Sequence, residues 1–248
     1  MNASAAAFAV LPALALGSFL NVVAARVPER RSIIRPPSSC GSCGVEIRWR
    51  DNIPVLSYVL LRGRCRHCSE PISPLYPIVE SVTAAAVVLC LALFGFTPYG
   101  ALAAGFCSVL VVLSVIDLRH RIVPDRIVLP AAALALVAHT LVDPSPEWLL
   151  SALAAAGFLF LVVLAYPAGL GMGDVKLALL LGAVLGASVG VALMLGLFAA
   201  LVPAVVLFWR HGSAARKMAV PLVPFLSLGA FVALVAGERI LDTYLALF

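Results

Sequence analysis

Long apolar stretches alternate with short polar connections along most of the chain. They lie near residues 5–25, 76–94, 100–116, 127–142, 148–166, 174–209 and 221–247, and the sixth is long enough to hold two helices. About 20 apolar residues are needed to cross the hydrocarbon core of a bilayer as a helix. The pattern therefore predicts an all-α polytopic membrane protein of about eight transmembrane helices.

A single long polar segment, rich in Arg, Pro, Cys and Ser, separates the first apolar stretch from the second. We therefore predict three parts: a first transmembrane helix at 1–25, a cysteine-rich domain at 26–75, and a seven-helix membrane domain at 76–248. The glycines at 182, 186 and 190 repeat at four-residue spacing, which predicts close packing of helix backbones.

The composition agrees with this membrane class. Hydrophobic residues make up 63% of the 248 residues and charged residues only 12%, whereas a soluble domain carries about 25% charged residues. Most of the surface must therefore face lipid, and the remaining polar segment is too short for a large soluble domain.

The net charge of +5 comes from basic residues that border the apolar stretches. Nine arginines fall between Arg26 and Arg66, and further groups lie at 119–126 and 210–217. Basic connections of this kind are typical of cytoplasmic loops, and they argue against nucleic-acid binding. No basic residue precedes the first stretch, so we expect a retained helix, with its N-terminus outside, rather than a signal peptide.

Four of the six cysteines form two CxxC turns, Cys40 to Cys43 and Cys65 to Cys68. Two such turns can complete a tetrahedral four-thiolate site for Zn²⁺, as in zinc ribbons. Disulfides are disfavoured in a segment predicted to be cytoplasmic, while His67 is an alternative ligand. The sequence therefore predicts a small zinc-ribbon-like insertion, with Cys90 and Cys107 as buried apolar residues of the spans.

Two aspartates lie at the ends of apolar stretches: Asp117 after the third and Asp174 at the start of the sixth. The predicted topology places both on the cytoplasmic side, where a pair of carboxylates could act as general acid and base. Simpler roles stay open. Asp174 could cap a helix, Asp117 could pair with a nearby arginine, Asp125 could be a turn residue, and Lys176 could extend to the interface or balance Asp174.

Several motifs in this order resemble the type IV prepilin peptidases, the bifunctional leader peptidase/N-methyltransferases of bacteria. The resemblance covers nearly the whole chain. It rests on Gly17–Val23 with Arg26 and Pro28, the two CxxC pairs, Trp49, Asp51–Pro54, Ser57–Tyr58, Leu61–Cys65, Tyr76–Pro77 with Glu80, Asp117 with Pro124–Asp125, and the box Gly171-Met172-Gly173-Asp174.

The resemblance implies that Asp117 and Asp174 are the catalytic pair, supported by Gly171, Gly173, Lys176 and Asp125. It implies a prepilin or pseudopilin substrate with a short basic leader, cut after a glycine on the cytoplasmic side of the bacterial inner membrane, in a type IV pilus or type II secretion system. It further implies methylation of the new N-terminus by S-adenosylmethionine, for which Arg62, Gly63 and Glu80 are candidate binding residues.

Three other functions stay open at this point. The chain could be a peptidase alone, whose cysteine-rich domain recognises the substrate. It could also be a small transporter, although such proteins often show internal repeats and this sequence has none. A zinc-stabilised assembly protein without catalysis is the third.

Overall fold

The computed structural model describes residues 8–167, 169–212 and 220–246. Nine α-helices occur in these ranges: α1 Val10–Arg26, α2 Leu56–Leu60, α3 Leu75–Phe94, α4 Pro98–His120, α5 Asp125–Val142, α6 Glu147–Ala165, α7 Met172–Leu185, α8 Val189–His211 and α9 Val223–Leu245. Two short 3-10 turns, Trp49–Asp51 and Gly186–Ser188, complete the regular structure of the described residues.

Eight of these helices are apolar, and they correspond to the predicted spans. Six helical segments are long and apolar enough to cross a membrane, and the one from Met172 to His211 comprises both α7 and α8. The 17-residue α1 is apolar but shorter, and the predicted start of this span at residue 5 lies outside the described residues. The predicted all-α membrane fold is confirmed.

The break between α7 and α8 corrects the prediction for the glycine series. Gly182 packs against a helix backbone, because an added Cβ would lie 2.6 Å from the Cα of Ala152 on α6. Gly186 instead lies against the side chains of Glu147 and Trp148. It ends α7 with a φ of +55°, and a Cβ at Gly190 would meet open space. The three glycines are therefore not one packing stripe, since the helix changes direction in the middle of the series.

The residues up to Val112 form one compact unit, and those from Leu113 onward form a second. In the first unit α1 packs against α3 at Gly17, where an added Cβ would lie 2.6 Å from the Cα of Glu80. The buried Asn21 donates a hydrogen bond from Nδ2 to the carbonyl oxygen of Tyr76, at 3.1 Å. The predicted functional division at residues 25 and 75 stays a prediction.

The second unit is built around α7, whose residues from Leu177 to Leu185 are nearly all buried. Helices α5 and α6 pack against α7, and α8 packs against α9. Gly196 allows the last contact, since an added Cβ would lie 2.8 Å from the Cα of Leu226. Ser114 near the end of α4 donates a hydrogen bond to Ser227 on α9, at 3.0 Å. The start of α7 is thus held in a well-packed frame.

Candidate functional site

The two CxxC segments fold into turns of the same geometry. In the first, the backbone N–H of Cys40 donates to Val45 and that of Gly44 donates back to Cys40, both at 2.9 Å. In the second, Cys65 donates to Glu70 at 2.9 Å and Ser69 donates to Cys65 at 3.0 Å. A β-bridge closes each turn, Ser39 with Glu46 and Arg64 with Pro71. With this shared geometry, the thiols of the two turns come together in one cluster.

The four sulfur atoms form a cluster that fits a tetrahedral metal ion. All four Sγ atoms lie within 4.8 Å of one another, and those of Cys40 and Cys68 are 3.7 Å apart. Zn–S bonds of about 2.3 Å in a tetrahedron put the sulfurs about 3.8 Å apart. All four cysteines are free thiols, not disulfides, and His67 does not belong to the cluster. The predicted ligand set Cys40, Cys43, Cys65 and Cys68 therefore comes together.

The thiols differ in acidity because their hydrogen bonds differ. Backbone N–H groups of Cys43 and Ser42 stabilise the Cys40 thiolate and lower its pKa to about 6. The N–H of Glu70 lowers the pKa of Cys68, but lost hydration and hydrogen bonds to the other thiols outweigh this and raise it to about 12. Thiolates are the metal-binding form, so the first proton of the cluster is lost near neutral pH.

An ion pair braces the second CxxC turn. Arg66 donates from Nε and Nη2 to both carboxylate oxygens of Asp51, at 2.6–3.1 Å. This hydrogen bonding lowers the pKa of Asp51 and raises that of Arg66. The bidentate geometry fixes the direction of both side chains, which ties the 3-10 turn at Trp49–Asp51 to the cysteine cluster.

Asp117 lies inside α4 rather than after it, because the helix continues to His120. Its side chain is buried, at 7% exposure, and Oδ2 accepts a hydrogen bond from the backbone N–H of Val223, at 3.1 Å. Among the described residues no cationic nitrogen lies within 4.0 Å of its carboxylate. Asp117 therefore forms no direct ion pair with Arg119 or Arg121, although Arg121 interacts with it electrostatically over a longer distance.

Asp174 occupies the first turn of α7. Its Oδ2 accepts a hydrogen bond from the N–H of Gly171 at 3.2 Å, while its own N–H donates to the carbonyl of Gly171 at 3.1 Å. Asp174 therefore closes the start of the helix, as the capping alternative predicted, but as its third residue. Gly173 lies against Val123, whose Cβ would be 3.1 Å from an added Cβ.

The two aspartates belong to the same compact unit, and Gly173, next to Asp174, packs against Val123 in the connection that follows the helix of Asp117. Lys176 does not balance Asp174. It donates instead to Oδ1 of Asp125 at 2.6 Å, and both side chains are partly exposed. This pair joins α7 to the start of α5. Four predicted residues, Asp117, Asp125, Asp174 and Lys176, thus lie in one region of the unit.

The three residues predicted for the methyl donor are not all together. Glu80 on α3 lines a cavity of about 710 Å³ in the first unit, but Arg62 and Gly63 do not. Gly63 has a φ of +68° and lies against the ring of Tyr58, which identifies it as a turn residue. Arg62 is an exposed residue of the same turn, with a φ of +52°.

Backbone partners of the acidic side chains were not predicted from the sequence. Val223 lies 106 residues from Asp117 along the chain, and Val55 lies 25 residues from Glu80, to which it donates a hydrogen bond of 2.7 Å. Any residue can supply a backbone N–H, so the residue type gives no signal. Val223 follows Pro221 at the start of an apolar stretch, but this pattern does not predict a hydrogen bond to Asp117.

The second unit also contains a large apolar cavity of about 1170 Å³, mainly between α6 and α8. Small and aliphatic side chains form much of its wall, including Ala155, Gly190 and Leu193. Its rim includes Leu170 and Leu222, which directly precede Gly171 and Val223. The cavity therefore reaches the backbone that holds the two aspartates.

These observations define a class of protein: a polytopic helical membrane protein with a four-thiol module and two aspartates at helix ends. Two family models match the chain: the bacterial peptidase A24 N-terminal domain over residues 11–94, and the type IV leader peptidase family over residues 104–209. The four clustered cysteines lie in the first match, and both aspartates lie in the second. The chain belongs to the type IV leader peptidase family.

Three curated relatives illustrate the similarity, each called prepilin leader peptidase/N-methyltransferase. The Bacillus subtilis protein is 34% identical over 94% of both chains, and a Burkholderia pseudomallei protein is 33% identical over 93% of this chain and 85% of the relative. The Myxococcus xanthus protein is 42% identical over 73% of this chain, a match that spans 56% of that relative. No solved structure gave a significant match.

These matches confirm the resemblance and the prediction that the chain is an enzyme of the prepilin peptidase type. They argue against the transporter and the assembly protein.

Proposed function

We propose that the chain cleaves the leader of a prepilin or pseudopilin with Asp117 and Asp174, and then methylates the new N-terminus. One observation carries the first half: two aspartates on different helices of one unit are each held by a backbone N–H, and among the described residues no lysine or arginine nitrogen lies within 4.0 Å of either carboxylate. When two such carboxylates are brought together around a substrate, one of them keeps a proton. That is the state required for acid and base to act together.

In the proposed reaction one aspartate is ionised and the other carries a proton. The ionised carboxylate takes a proton from water as the water oxygen bonds to the scissile carbonyl carbon. The protonated carboxyl gives its proton to the carbonyl oxygen. The tetrahedral intermediate then collapses as its C–N bond breaks. The leaving nitrogen takes from the first aspartate the proton that came from water, and a hydroxyl of the intermediate returns a proton to the second aspartate.

Backbone hydrogen bonds support this role because they orient the carboxylates without neutralising them. The N–H of Val223 holds Oδ2 of Asp117, and the N–H of Gly171 holds Oδ2 of Asp174. One oxygen of each side chain is thus anchored. Gly173 lets the first turn of α7 approach Val123, and the pair of Lys176 with Asp125 ties α7 to α5. We assign positioning roles to these residues.

We place the apolar part of the substrate next to its cleavage site in the apolar cavity of the second unit. The argument is continuity, because the rim residues Leu170 and Leu222 adjoin the backbone that holds both aspartates. The basic connections of the chain favour a cytoplasmic position of this rim and of the cysteine-rich segment, with the first helix entering from outside. The membrane would be the bacterial inner membrane.

A structural Zn²⁺ bound by Cys40, Cys43, Cys65 and Cys68 would stabilise the polar segment, which has little apolar area of its own. The donor set and the sulfur spacing fit this ion. Metal analysis of purified protein, with and without chelator, tests the assignment. Stoichiometric zinc and a lower melting temperature after chelation are expected, whereas metal-free protein of unchanged stability would rule zinc out.

S-adenosylmethionine would supply the methyl group for the second half of the reaction. Incubation of the detergent-purified protein with a prepilin and this donor, followed by mass spectrometry, tests both halves. The expected product has lost its leader and gained one methyl group. Asp117→Asn and Asp174→Asn should each reduce cleavage at least about 100-fold, with melting temperatures near that of the unchanged protein as the control.

Other results of this experiment would change the proposal in definite ways. Cleavage without methylation would leave a peptidase whose cysteine-rich segment recognises its substrate. Full cleavage by either asparagine variant would remove the aspartate pair from the mechanism.

A further inference from the structure

The first compact unit contains a cavity that the aspartate chemistry does not use. It has a volume of about 710 Å³ and lies among α1, the cysteine-rich segment and α3. This volume is in the range of small-molecule and cofactor sites. Much of the wall is polar, and it includes Ser18 and Asn21 from α1, Tyr58 and His67 from the cysteine-rich segment, and Glu80 from α3.

Glu80 is the buried acid of this cavity. Its side chain is 7% exposed, and Oε2 accepts a hydrogen bond of 2.7 Å from the N–H of Val55. The hydroxyl of Ser18 donates a second hydrogen bond. Among the described residues no nitrogen of lysine, arginine or histidine lies within 4.0 Å of the Glu80 carboxylate. A buried carboxylate thus lines a cavity without a cationic partner.

The arginines of the cavity wall are engaged elsewhere. Arg26 donates to the carbonyl oxygens of Ser32 and Pro36, at 3.0 and 2.7 Å. Arg31 pairs with Glu29, and Arg66 pairs with Asp51. The wall therefore contains cationic side chains, but these three arginines bind acceptors other than Glu80.

The residue that donates a hydrogen bond to Glu80 has a strained backbone conformation. Val55 has a φ of +59°, which is a strained conformation for a β-branched residue. Its N–H is the donor to Glu80, so the strained turn and the carboxylate hold each other. Gly17 lets α1 approach the backbone of Glu80 closely. A buried carboxyl group without a cation either takes up a proton or binds a cationic ligand. The cavity beside Glu80 leaves room for such a ligand.

We propose that Glu80 binds the α-amine that receives the methyl group and accepts its proton. This inference rests on the proposed methyl transfer. An α-ammonium group loses its proton near pH 8 in water and must be neutral to act as a nucleophile. Its proton passes to the Glu80 carboxylate, and the nitrogen lone pair then forms a bond to the methyl carbon of the sulfonium donor. The C–S bond breaks, and its electron pair stays on sulfur as the positive charge moves to nitrogen.

The competing interpretation is that Glu80 only ties the strained turn at Val55 to α3. Glu80→Gln separates the two, because the amide oxygen can still accept from Val55 and Ser18 while the negative charge is lost. Glu80→Asp keeps the charge but withdraws it by one methylene. Glu238, an exposed glutamate on α9 in the second unit, does not line this cavity and provides Glu238→Gln as a matched control.

A binding measurement without methyl donor tests the amine site directly. A short apolar peptide with a free N-terminus and its N-acetylated counterpart are titrated into the full-length protein and into Glu80→Gln. A close charge pair predicts that acetylation weakens binding to the unchanged protein about 10- to 100-fold. The same acetylation should change binding to Glu80→Gln by less than about 2-fold. Equal losses in both proteins would overturn the proposal.

Methyl transfer to the free peptide, which needs no prior cleavage, is measured in parallel. Glu80→Gln should lower kcat/KM for the peptide at least about 100-fold, with the affinity for S-adenosylmethionine, leader cleavage and zinc content unchanged. Glu80→Asp should recover part of the rate, and Glu238→Gln should leave the rate unchanged. The inference would be overturned if Glu80→Gln lowered the affinity for S-adenosylmethionine. It would also be overturned if both Glu80 variants lost methyl transfer equally and had lower melting temperatures. Absence of transfer by the unchanged protein would instead refute the proposed methylation, while the binding comparison would still test the amine site.

Discussion

The two CxxC turns offer a matched pair of positions for testing the four-thiol module. Gly44 and Ser69 are the residues whose N–H groups donate to Cys40 and Cys65, and their φ angles are +71° and +59°. The backbone conformation is left-handed in both, but only the first turn has glycine. The second turn therefore carries a serine in a conformation that favours glycine.

We expect Ser69→Gly to stabilise the module. A left-handed conformation costs an L-residue about 1–2 kcal/mol, while glycine costs about 0.5–1 kcal/mol in conformational entropy. The difference favours the variant by about 0.5–1 kcal/mol. Gly44→Ala should destabilise the module by a similar amount, because a Cβ there meets open space but the left-handed backbone remains.

Zinc affinity, measured by competition with a chelator, provides the assay, because metal binding and folding are coupled in such modules. Ser69→Gly should tighten zinc binding about 2- to 5-fold, and Gly44→Ala should weaken it by a similar factor. The double variant should return close to the original affinity. Gly41→Ala is the control, since its Cβ also meets open space and its φ is not positive. Weaker binding by Ser69→Gly would refute the reasoning.

Two further predictions concern the apolar cavity and the thiols. Gly190→Leu should fill the cavity of the second unit and slow leader cleavage at least about 10-fold, whereas Gly157→Leu, equally unhindered but off the cavity wall, should not. Equal cleavage rates of both variants would contradict the substrate placement. In metal-free protein, alkylation of Cys40 should rise as the pH passes about 6, its lowered pKa, because the thiolate is the reactive form. Cys68, with a pKa of about 12, should label last, and mass spectrometry of each site at several pH values checks this order.

Much of the helical fold could be predicted because membrane spans are read from hydropathy alone. The predicted second span at 76–94 differs by one residue from α3, Leu75–Phe94. The third differs more, since α4 continues past residue 116 to His120. Hydropathy marks where lipid ends, but a helix can extend beyond that point through polar residues such as Asp117. The cysteine cluster could also be predicted, because each CxxC turn is local and only the meeting of two turns is not.

The rest of the candidate site depends on contacts that leave no trace in residue type. Balancing Asp174 was one of two roles open for Lys176, which follows it by two residues. Positions two apart on a helix do not face each other, and Lys176 reaches Asp125 on another helix. The strained conformation of Val55 contradicts the local preference of valine and persists only because its N–H meets Glu80. Such pairings are decided by tertiary packing, which outweighs local propensity by several kcal/mol in sum.

Six acidic residues of the described chain fall into two kinds of environment, and the difference bears on the chemistry. The exposed or rim acids Glu29, Asp51 and Asp125 each pair with a lysine or arginine. The three acids proposed for chemistry accept backbone N–H groups instead, at 2.7–3.2 Å. A cation beside a carboxylate would balance its charge and keep it ionised. A single N–H fixes the direction of the carboxylate and leaves its other oxygen available. In a low-dielectric environment such a group responds strongly to a proton or an ammonium ion. Backbone anchoring therefore lets these carboxylates stay rigid while the substrate supplies their missing partner.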